Sequence, residues 1–303
     1  MISVVVPVFQ AECFLKELVD RLEKVLPTIS LDYEVLLIDD GSSDRSWEQI
    51  EIFSSNSANI KGIKLSRNFG QHYAITAGLD RAQGDWVVVM DCDLQDKPEE
   101  IPRLWRHAQK GYDVVLARRV NRQDTFIKKL TSKAFYRTLA YLTGSHQDET
   151  IANFGIYHQK VVREIVKMRE SVRYFPTMVK WVGFRQTSLD INHGCRKEGH
   201  SNYNLRRLFN LGLDIMLAFS DKPLRLTVKL GLIVAITGFS FALFTLFKYL
   251  NNDIIVAGYA SLIISVWVLT GFVLTTLGMV GLYVGKIFEG VKNRPIYIIE
   301  RTT

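Results

Sequence analysis

Cysteine is scarce in this chain: Cys13, Cys92 and Cys195 are the only three in 303 residues. Their odd number and spacing exclude a disulfide framework and a cysteine-built metal centre, and they point to a reducing compartment. Histidine supplies no substitute, because His72, His146, His158, His193 and His200 show no ligand-like spacing. There is no internal repeat, no low-complexity tract and no linker-like stretch before about residue 195, so a repeat array or a disordered chain is excluded. No basic leader or cleavage site is seen before the strand-like run Ile2–Val8, so the N-terminal part is expected to stay in the cytosol.

Charge is missing from two long stretches, Leu230–Phe247 and Ile254–Gly285. A bilayer crossing takes about 20 apolar residues, so both read as membrane spans, the first extended by Leu224, Leu226 and Val228 with Arg225 and Lys229 snorkelling. A buried helical hairpin would need a larger core than the remaining chain offers. Arg206, Arg207, Lys222, Arg225 and Lys229 precede the first span, and Lys286, Lys292, Arg294 and Arg301 follow the second. The positive-inside rule then puts both ends in the cytoplasm of a multi-pass protein of the cytoplasmic membrane. Before the spans, Leu205, Leu208, Phe209, Gly212, Leu213, Met216 and Leu217 form one apolar helical face, expected to lie in the membrane interface. Gly281 and Gly285 offer a small-xxx-small face for helix packing. The expected organisation is a first, cytoplasmic domain over 1–200, an interfacial helix over 201–222, two spans over 223–285 and a cytoplasmic tail over 286–303.

The formal charge of +7 is spread along the chain, concentrating near 118–133, 196–207 and 222–229. Two of these clusters adjoin very apolar sequence, so an anionic membrane surface or a phosphate-bearing substrate is expected, and not nucleic acid. Phe135, Tyr136 and Tyr141 stand among Lys128, Lys129, Lys133 and Arg137, a segment expected to dock at the headgroup layer.

Upstream, apolar runs alternate with helical patterns: 2–8 then 12–26, 33–38 then 44–54, 60–65 then 70–82, 86–90 then 98–110, 112–117 then 125–142. Such alternation predicts βαβ units in a mostly parallel sheet with helices on both faces. In such sheets ligands bind beyond the carboxyl ends of the strands. Two of those ends carry acids, Asp39 and Asp40 after the second strand and Asp91, Asp93 and Asp96 after the fourth. Extended backbone past Met90 would put Asp91, Asp93 and Gln95 on one face. Hard oxygen ligands of this kind suit Mg²⁺ or Mn²⁺ completed by substrate phosphates. Asp96 reads instead as the cap of a helix opening at Pro98.

The stretches VVPVFQAE, LLIDDGSSD, SRNFGQHYAITAGLDRAQGD, MDCDLQDKPEEIP, GYDVVLARR, WVGFRQT and GHSNYNLRRL, with both spans, cover nearly the whole chain. Together they resemble the membrane-bound polyisoprenyl-phosphate glycosyltransferases of glycosyltransferase family 2, which include dolichol-phosphate mannose synthases and bacterial undecaprenyl-phosphate glucosyltransferases. The resemblance implies a GT-A fold and metal-dependent, inverting transfer of a sugar from a UDP- or GDP-linked donor to a polyprenyl phosphate such as undecaprenyl phosphate. It also implies association into a tetramer. By the same resemblance Pro7, Phe9, Glu12, Asp39, Asp40 and Cys92 line the donor pocket, Asp91 borders sugar and ribose, and Asp93 with Gln95 binds the metal. Arg118, Arg196, Ser201 and Asn202 then handle phosphates.

The chain departs from the family pattern in three places. Gln10-Ala11-Glu12 replaces the usual Asn-Glu after the aromatic, Asn202 replaces a frequent Lys with Lys197 nearby, and Asn153-Phe154-Gly155 replaces an Asp-Phe-Arg element. A phosphate monoester is largely dianionic near neutral pH and needs positioning more than deprotonation. Asn153 is therefore expected to orient, and Asp148 and Glu149 are base candidates only by proximity. A processive polysaccharide synthase lacks support, since its Q-x-x-R-W motif is absent and two spans make no conduit. A non-catalytic, partner-recruiting anchor is opposed by the intact Asp91, Asp93 and Gln95.

Overall fold

The computed structural model describes residues 1–120, 151–170, 173–192, 222–250 and 258–303. They fall into two units, one holding residues 1–120, 151–170, 173–192 and 294–303, the other residues 222–250 and 258–293. Residues 294–303, expected as part of a separate tail, thus belong to the first unit.

Eight strands build the first unit: β1 (Ile2–Val8), β2 (Tyr33–Asp39), β3 (Ile60–Leu65), β4 (Trp86–Val89), β5 (Val114–Val120), β6 (Ile151–His158), β7 (Gln186–Asn192) and β8 (Ile299–Thr302). They form one sheet in the order β7-β5-β6-β4-β1-β2-β3-β8. Strands β4, β1, β2 and β3 run parallel, as do β5 and β7. Strand β6 opposes both its neighbours and β8 opposes β3. The expected mostly parallel α/β sheet is present, with two reversed strands that the alternation of runs does not foretell.

Helices α1 (Glu12–Val25), α2 (Ser46–Asn56), α3 (Gln71–Leu79), α4 (Ile101–Ala108), α5 (Gln159–Lys167) and α6 (Phe175–Trp181) cover the two faces. Successive strand residues point to opposite sides, so β1 feeds two cores. Val4, Val6 and Val8 pack with α1, α2 and α4, while Val5 packs with α3, α5 and α6. Leu15, Leu18 and Leu22 recur at helical spacing on α1 and are fully buried, each contributing roughly 2 kcal/mol of apolar transfer. Helix α3 lies so close to the sheet that a Cβ on Gly78 would meet Val5 Cγ1 and Ile38 Cδ1, the latter at 2.7 Å.

Pro7 sits in a central strand, where a missing N–H normally breaks a ladder. Alternate residues of β1 address opposite neighbours: Ile2 N donates to Asp32 O and Val8 O accepts from Asp40 N on the β2 side, while Val5 O accepts from Met90 N on the β4 side. Pro7 therefore faces the β4 side beyond the last pair, Val5 with Val89, where no N–H is required.

The second unit contains α7 (Lys222–Leu250) and α8 (Tyr259–Val291). Leu224–Phe241 and Val268–Val291 are long and apolar enough to cross a membrane, and neither window is buried. The hydroxyls of Thr237, Ser240 and Thr275 donate to carbonyls one turn back, so they are satisfied within their own helices. Gly231 on α7 lies against Phe272 of α8, whose ring a Cβ would meet at 3.2 Å. A Cβ on Gly281 or Gly285 would meet nothing within 4 Å among the described residues, so α7 does not pack on that face of α8. The interfacial helix expected over 205–217 and the basic helix over 125–142 lie outside the described residues.

Candidate active site

Parallel register gathers the ends of three strands on one rim. Val8 pairs with Asp39 and Val5 with Val89, so residues 9–12, 39–44 and 91–96 all follow carboxyl ends of neighbouring strands.

Two loops of this rim are stapled together. Gln10, with φ of 51°, donates its N–H to Ser42 Oγ at 3.0 Å and its Nε2 to Ser43 Oγ at 3.2 Å. Ala11 N donates to Ser46 Oγ and Glu12 N to Asp44 Oδ2, while Glu12 Oε2 accepts from Arg45 N at 2.9 Å. Glu12 is thus a strut between loops. Phe9 remains 43% exposed at the rim, a large ring with an uncovered face.

Asp39 and Asp40 are both buried, and desolvation raises the pKa of each above the ordinary carboxylate value. Their surroundings differ. Asp40 Oδ1 accepts from Phe69 N at 2.8 Å and Oδ2 from Gly70 N at 2.9 Å, so it grips the SRNFGQ loop. Asp39 Oδ1 accepts from Ser42 N at 3.2 Å, but its Oδ2 finds no donor among the described residues. Gly41 lets the loops touch, since a Cβ there would meet Arg67 C at 2.6 Å and Asn68 N at 2.7 Å.

Beyond Val89 the chain does not stay extended. It turns at Cys92 and Asp93, and Leu94 adopts φ of 59° with its side chain buried in the core. Asp93 Oδ1 accepts from Gln95 N at 3.1 Å, an Asx turn. The expected two-residue alternation of Asp91, Asp93 and Gln95 is therefore corrected: burying Leu94 bends the backbone, and the turn aims the oxygens. Asp91 Oδ1 accepts from Gln71 Nε2 at 2.7 Å. Burial, then the flanking Asp91 and Asp93, pushes the Cys92 thiol up to about 12, so it stays protonated and is no nucleophile. Asp96 is wholly buried, and the turn at Pro98 starts from Lys97 with no side-chain cap, which corrects the expected capping role.

Asn153 lies on β6, two residues before Gly155, which pairs with Val89 at the end of β4. Its carbonyl accepts from Tyr157 Oη at 3.4 Å across Gly155, where a Cβ would meet that oxygen at 2.9 Å. Glycine thus replaces the bulkier residue because the phenol occupies its space. Arg118, near the end of β5, donates Nε to Asp190 Oδ1, and this hydrogen bond holds the Asp190 carboxyl below its usual range. Arg196, Ser201, Asn202, Lys197, Asp148 and Glu149 lie outside the described residues.

Gln71, Asp44 and Asp190 are rim residues that sequence reasoning did not single out; Gln71 and Asp44 carried a signal, as the last letters of SRNFGQ and LLIDDGSSD, and Asp190 carried none. No group of three or more His, Cys, Asp or Glu side chains suited to a metal occurs among the described residues. The rim does offer hard oxygens, the Asp93 carboxylate and the Gln95 amide. Such a sparse donor set fits a cation that keeps waters and binds substrate phosphates, as Mg²⁺ and Mn²⁺ do.

Residues 3–166 match Glycosyl transferase family 2. The uncharacterized glycosyltransferase YkcC of Bacillus subtilis (strain 168) is 38% identical over 301 residues, 99% of this chain and 93% of that protein. The undecaprenyl-phosphate 4-deoxy-4-formamido-L-arabinose transferase of Aeromonas hydrophila is 35% identical over 304 residues, again 99% and 93%. Among solved structures, glucosyl-3-phosphoglycerate synthase from Mycobacterium tuberculosis, crystallised with Mn²⁺ and UDP-glucose, matches 72% of this chain and 77% of its own with TM-score 0.50 at 16% identity. That likeness supports the fold. The strand order, the acidic rim, the family match and the full-length relatives together establish that this chain belongs to glycosyltransferase family 2.

Proposed function

We propose that the enzyme transfers one sugar from a UDP- or GDP-linked donor to a polyprenyl phosphate, undecaprenyl phosphate in a bacterium, with inversion at the anomeric carbon. The observation that carries this reading is the rim itself: Asp39, the exposed Phe9 ring and the pair Asp91 and Asp93 stand at the carboxyl ends of three adjacent strands, on a chain whose two apolar helices suit a bilayer. Relatives named as undecaprenyl-phosphate sugar transferases match along 99% of the chain, which supports the acceptor class.

In this reading the Phe9 face stacks on the base, and Asp39 Oδ2, which has no donor among the described residues, accepts from a nucleoside N–H or hydroxyl. Asp91 orients the sugar. Asp93 and Gln95 would hold Mg²⁺ or Mn²⁺, which supplies neutralisation of the departing diphosphate when bound. Arg118 steers phosphate through its guanidinium, with Arg196, Ser201 and Asn202 as further phosphate contacts. Asn153, on β6 two residues before the partner of Val89, orients the acceptor. The lipid phosphate attacks as a dianion, so alignment replaces a general base. The helices α7 and α8 cross the membrane, both ends on the cytoplasmic side, and copies of the chain associate.

Incubation of purified protein with a panel of UDP- and GDP-sugars and undecaprenyl phosphate, with and without EDTA, tests this. One sugar per lipid phosphate, abolished by EDTA and restored by Mg²⁺ or Mn²⁺, is the expected result. Polymer, or full activity after exhaustive chelation, would contradict it. Asp93→Ala is expected to abolish transfer while the protein still folds and inserts; near-normal turnover would remove the metal assignment.

A further inference from the structure

The SRNFGQ stretch after β3 has no part in the mechanism above, yet the fold holds it tightly. Asp40 takes two successive backbone amides of this loop, at 2.8 and 2.9 Å. Gly41 clears the space in which Arg67 and Asn68 press against the neighbouring loop. Gly70 then enters α3 with φ of 110°, a conformation L side chains avoid, although a Cβ there would meet only the Tyr73 ring at 3.6 Å. The constraint at Gly70 is conformational and not spatial. The next residue, Gln71, opens α3 and donates its side-chain amide to Asp91 Oδ1 at 2.7 Å. A chain of contacts thus runs from the second-strand acid, through the loop, to the fourth-strand acid.

We propose that Gln71 is a positioning residue for Asp91, fixing the plane of the carboxylate that faces the donor sugar. The inference rests on the functional reading above. A carboxylate on a turning loop rotates about its terminal torsion in a broad, shallow well. A charge-assisted amide hydrogen bond, given by a helix whose start is itself pinned, narrows that well at Oδ1. Asp40 is then the indirect anchor, because loosening the loop moves the origin of the Gln71 side chain. Gln71 acts through Asp91, whose Oδ1 serves the sugar and not the ribose in this proposal, so the nucleoside diphosphate alone does not sense it.

A double-mutant cycle of Gln71→Ala and Asp91→Ala tests this, using the panel nucleotide-sugar that the wild type binds most tightly by calorimetry, and UDP and GDP as sugar-free probes. Gln71→Ala is expected to lower kcat/KM for the donor about tenfold, the scale of one exposed hydrogen bond to a charged group. It should leave UDP or GDP affinity unchanged and have no further effect in the Asp91→Ala background. Gln71→Glu, which sets a second negative charge against Asp91, should fall below Gln71→Ala. Losses that multiply in the double variant, equal donor affinity in wild type and Gln71→Ala, or a Gln71→Glu enzyme as active as Gln71→Ala would each overturn the assignment. The cycle is read in calorimetric donor affinity as well as turnover. An inactive wild type would therefore refute the functional reading, while the affinity cycle still decides the role of Gln71.

Discussion

Arg118 and Asp190 occupy paired positions on the adjacent parallel strands β5 and β7, and the arginine Nε donates to the aspartate carboxylate at 2.5 Å. Arg103 Nη2 also donates to the Asp190 carbonyl at 3.3 Å, so both ends of that residue are held by arginines. Exposed ion pairs contribute little to stability. Asp190→Ala is therefore expected to leave the melting temperature unchanged and to raise KM for the lipid phosphate several-fold. Arg118→Ala should lose more, and Arg118→Lys should not recover it, because an ammonium lacks the planar fork. A melting temperature several degrees lower in Asp190→Ala would make the pair a structural one.

Asp39 is a buried carboxylate with one oxygen lacking a donor among the described residues, and desolvation raises its pKa. Keeping it ionised at neutral pH costs the fold stability. Asp39→Asn should raise stability by about 1 kcal/mol and weaken donor binding at least tenfold, a stability-function trade-off of a familiar kind. Thermal melts and calorimetry with the nucleotide-sugar check both signs; a less stable Asp39→Asn protein would refute the argument.

His72 on α3 is the clearest pH-linked group. Burial, with Arg173 nearby, lowers its pKa from 6.5 to about 4, and its Nδ1 accepts from Phe175 N at 3.5 Å. The folded value lies below the unfolded one. Its contribution to stability is thus complete above about pH 6.5 and is lost as pH falls toward 4. Unfolding free energies of wild type and His72→Gln, measured from pH 4 to 8, should show a shallower acid slope in the variant. Parallel curves would exclude His72 as the source.

Gly78→Ala tests how tightly α3 is seated. The added methyl has no space between Val5 and Ile38, so a loss of about 1–3 kcal/mol is expected from overpacking. Because α3 begins at Gln71, donor KM should rise as well. An unchanged melting temperature would show that α3 can shift without cost.

Strands β1, β2 and β4 were legible because buried strands read as nearly unbroken apolar runs, such as Val87-Val88-Val89, and β3 because Ile60, Ile63 and Leu65 alternate with its lysines. The acids beyond them were legible for the same reason, as charge at the end of such a run. Strand β7, with Gln186, Ser188 and Asp190, carries polar residues at alternate positions that read equally well as loop. Strand β8 is four residues long and mostly exposed, so it depends on a partner and not on its own pattern. The two jobs of Asp39 and Asp40 were not legible either. Adjacent acids look alike in sequence, and only the packing of residues 66–70 separates them. Gln71 and Asp91 are twenty positions apart, a distance no local periodicity spans.

The pairing of β8 with β3 has a consequence for how the enzyme is made. Ser66 N donates to Ile298 O, Gly62 N to Thr303 Oγ1, and Lys64 bridges Glu300, so residues 298–303 cover the outer border of β3. Those residues are translated only after α7 and α8. Until then β3 presents bare amides and carbonyls to any other strand in reach. The nascent protein therefore passes through a stage, lasting as long as its two greasiest helices take to emerge, in which its sheet domain has an unfinished margin open to mispairing.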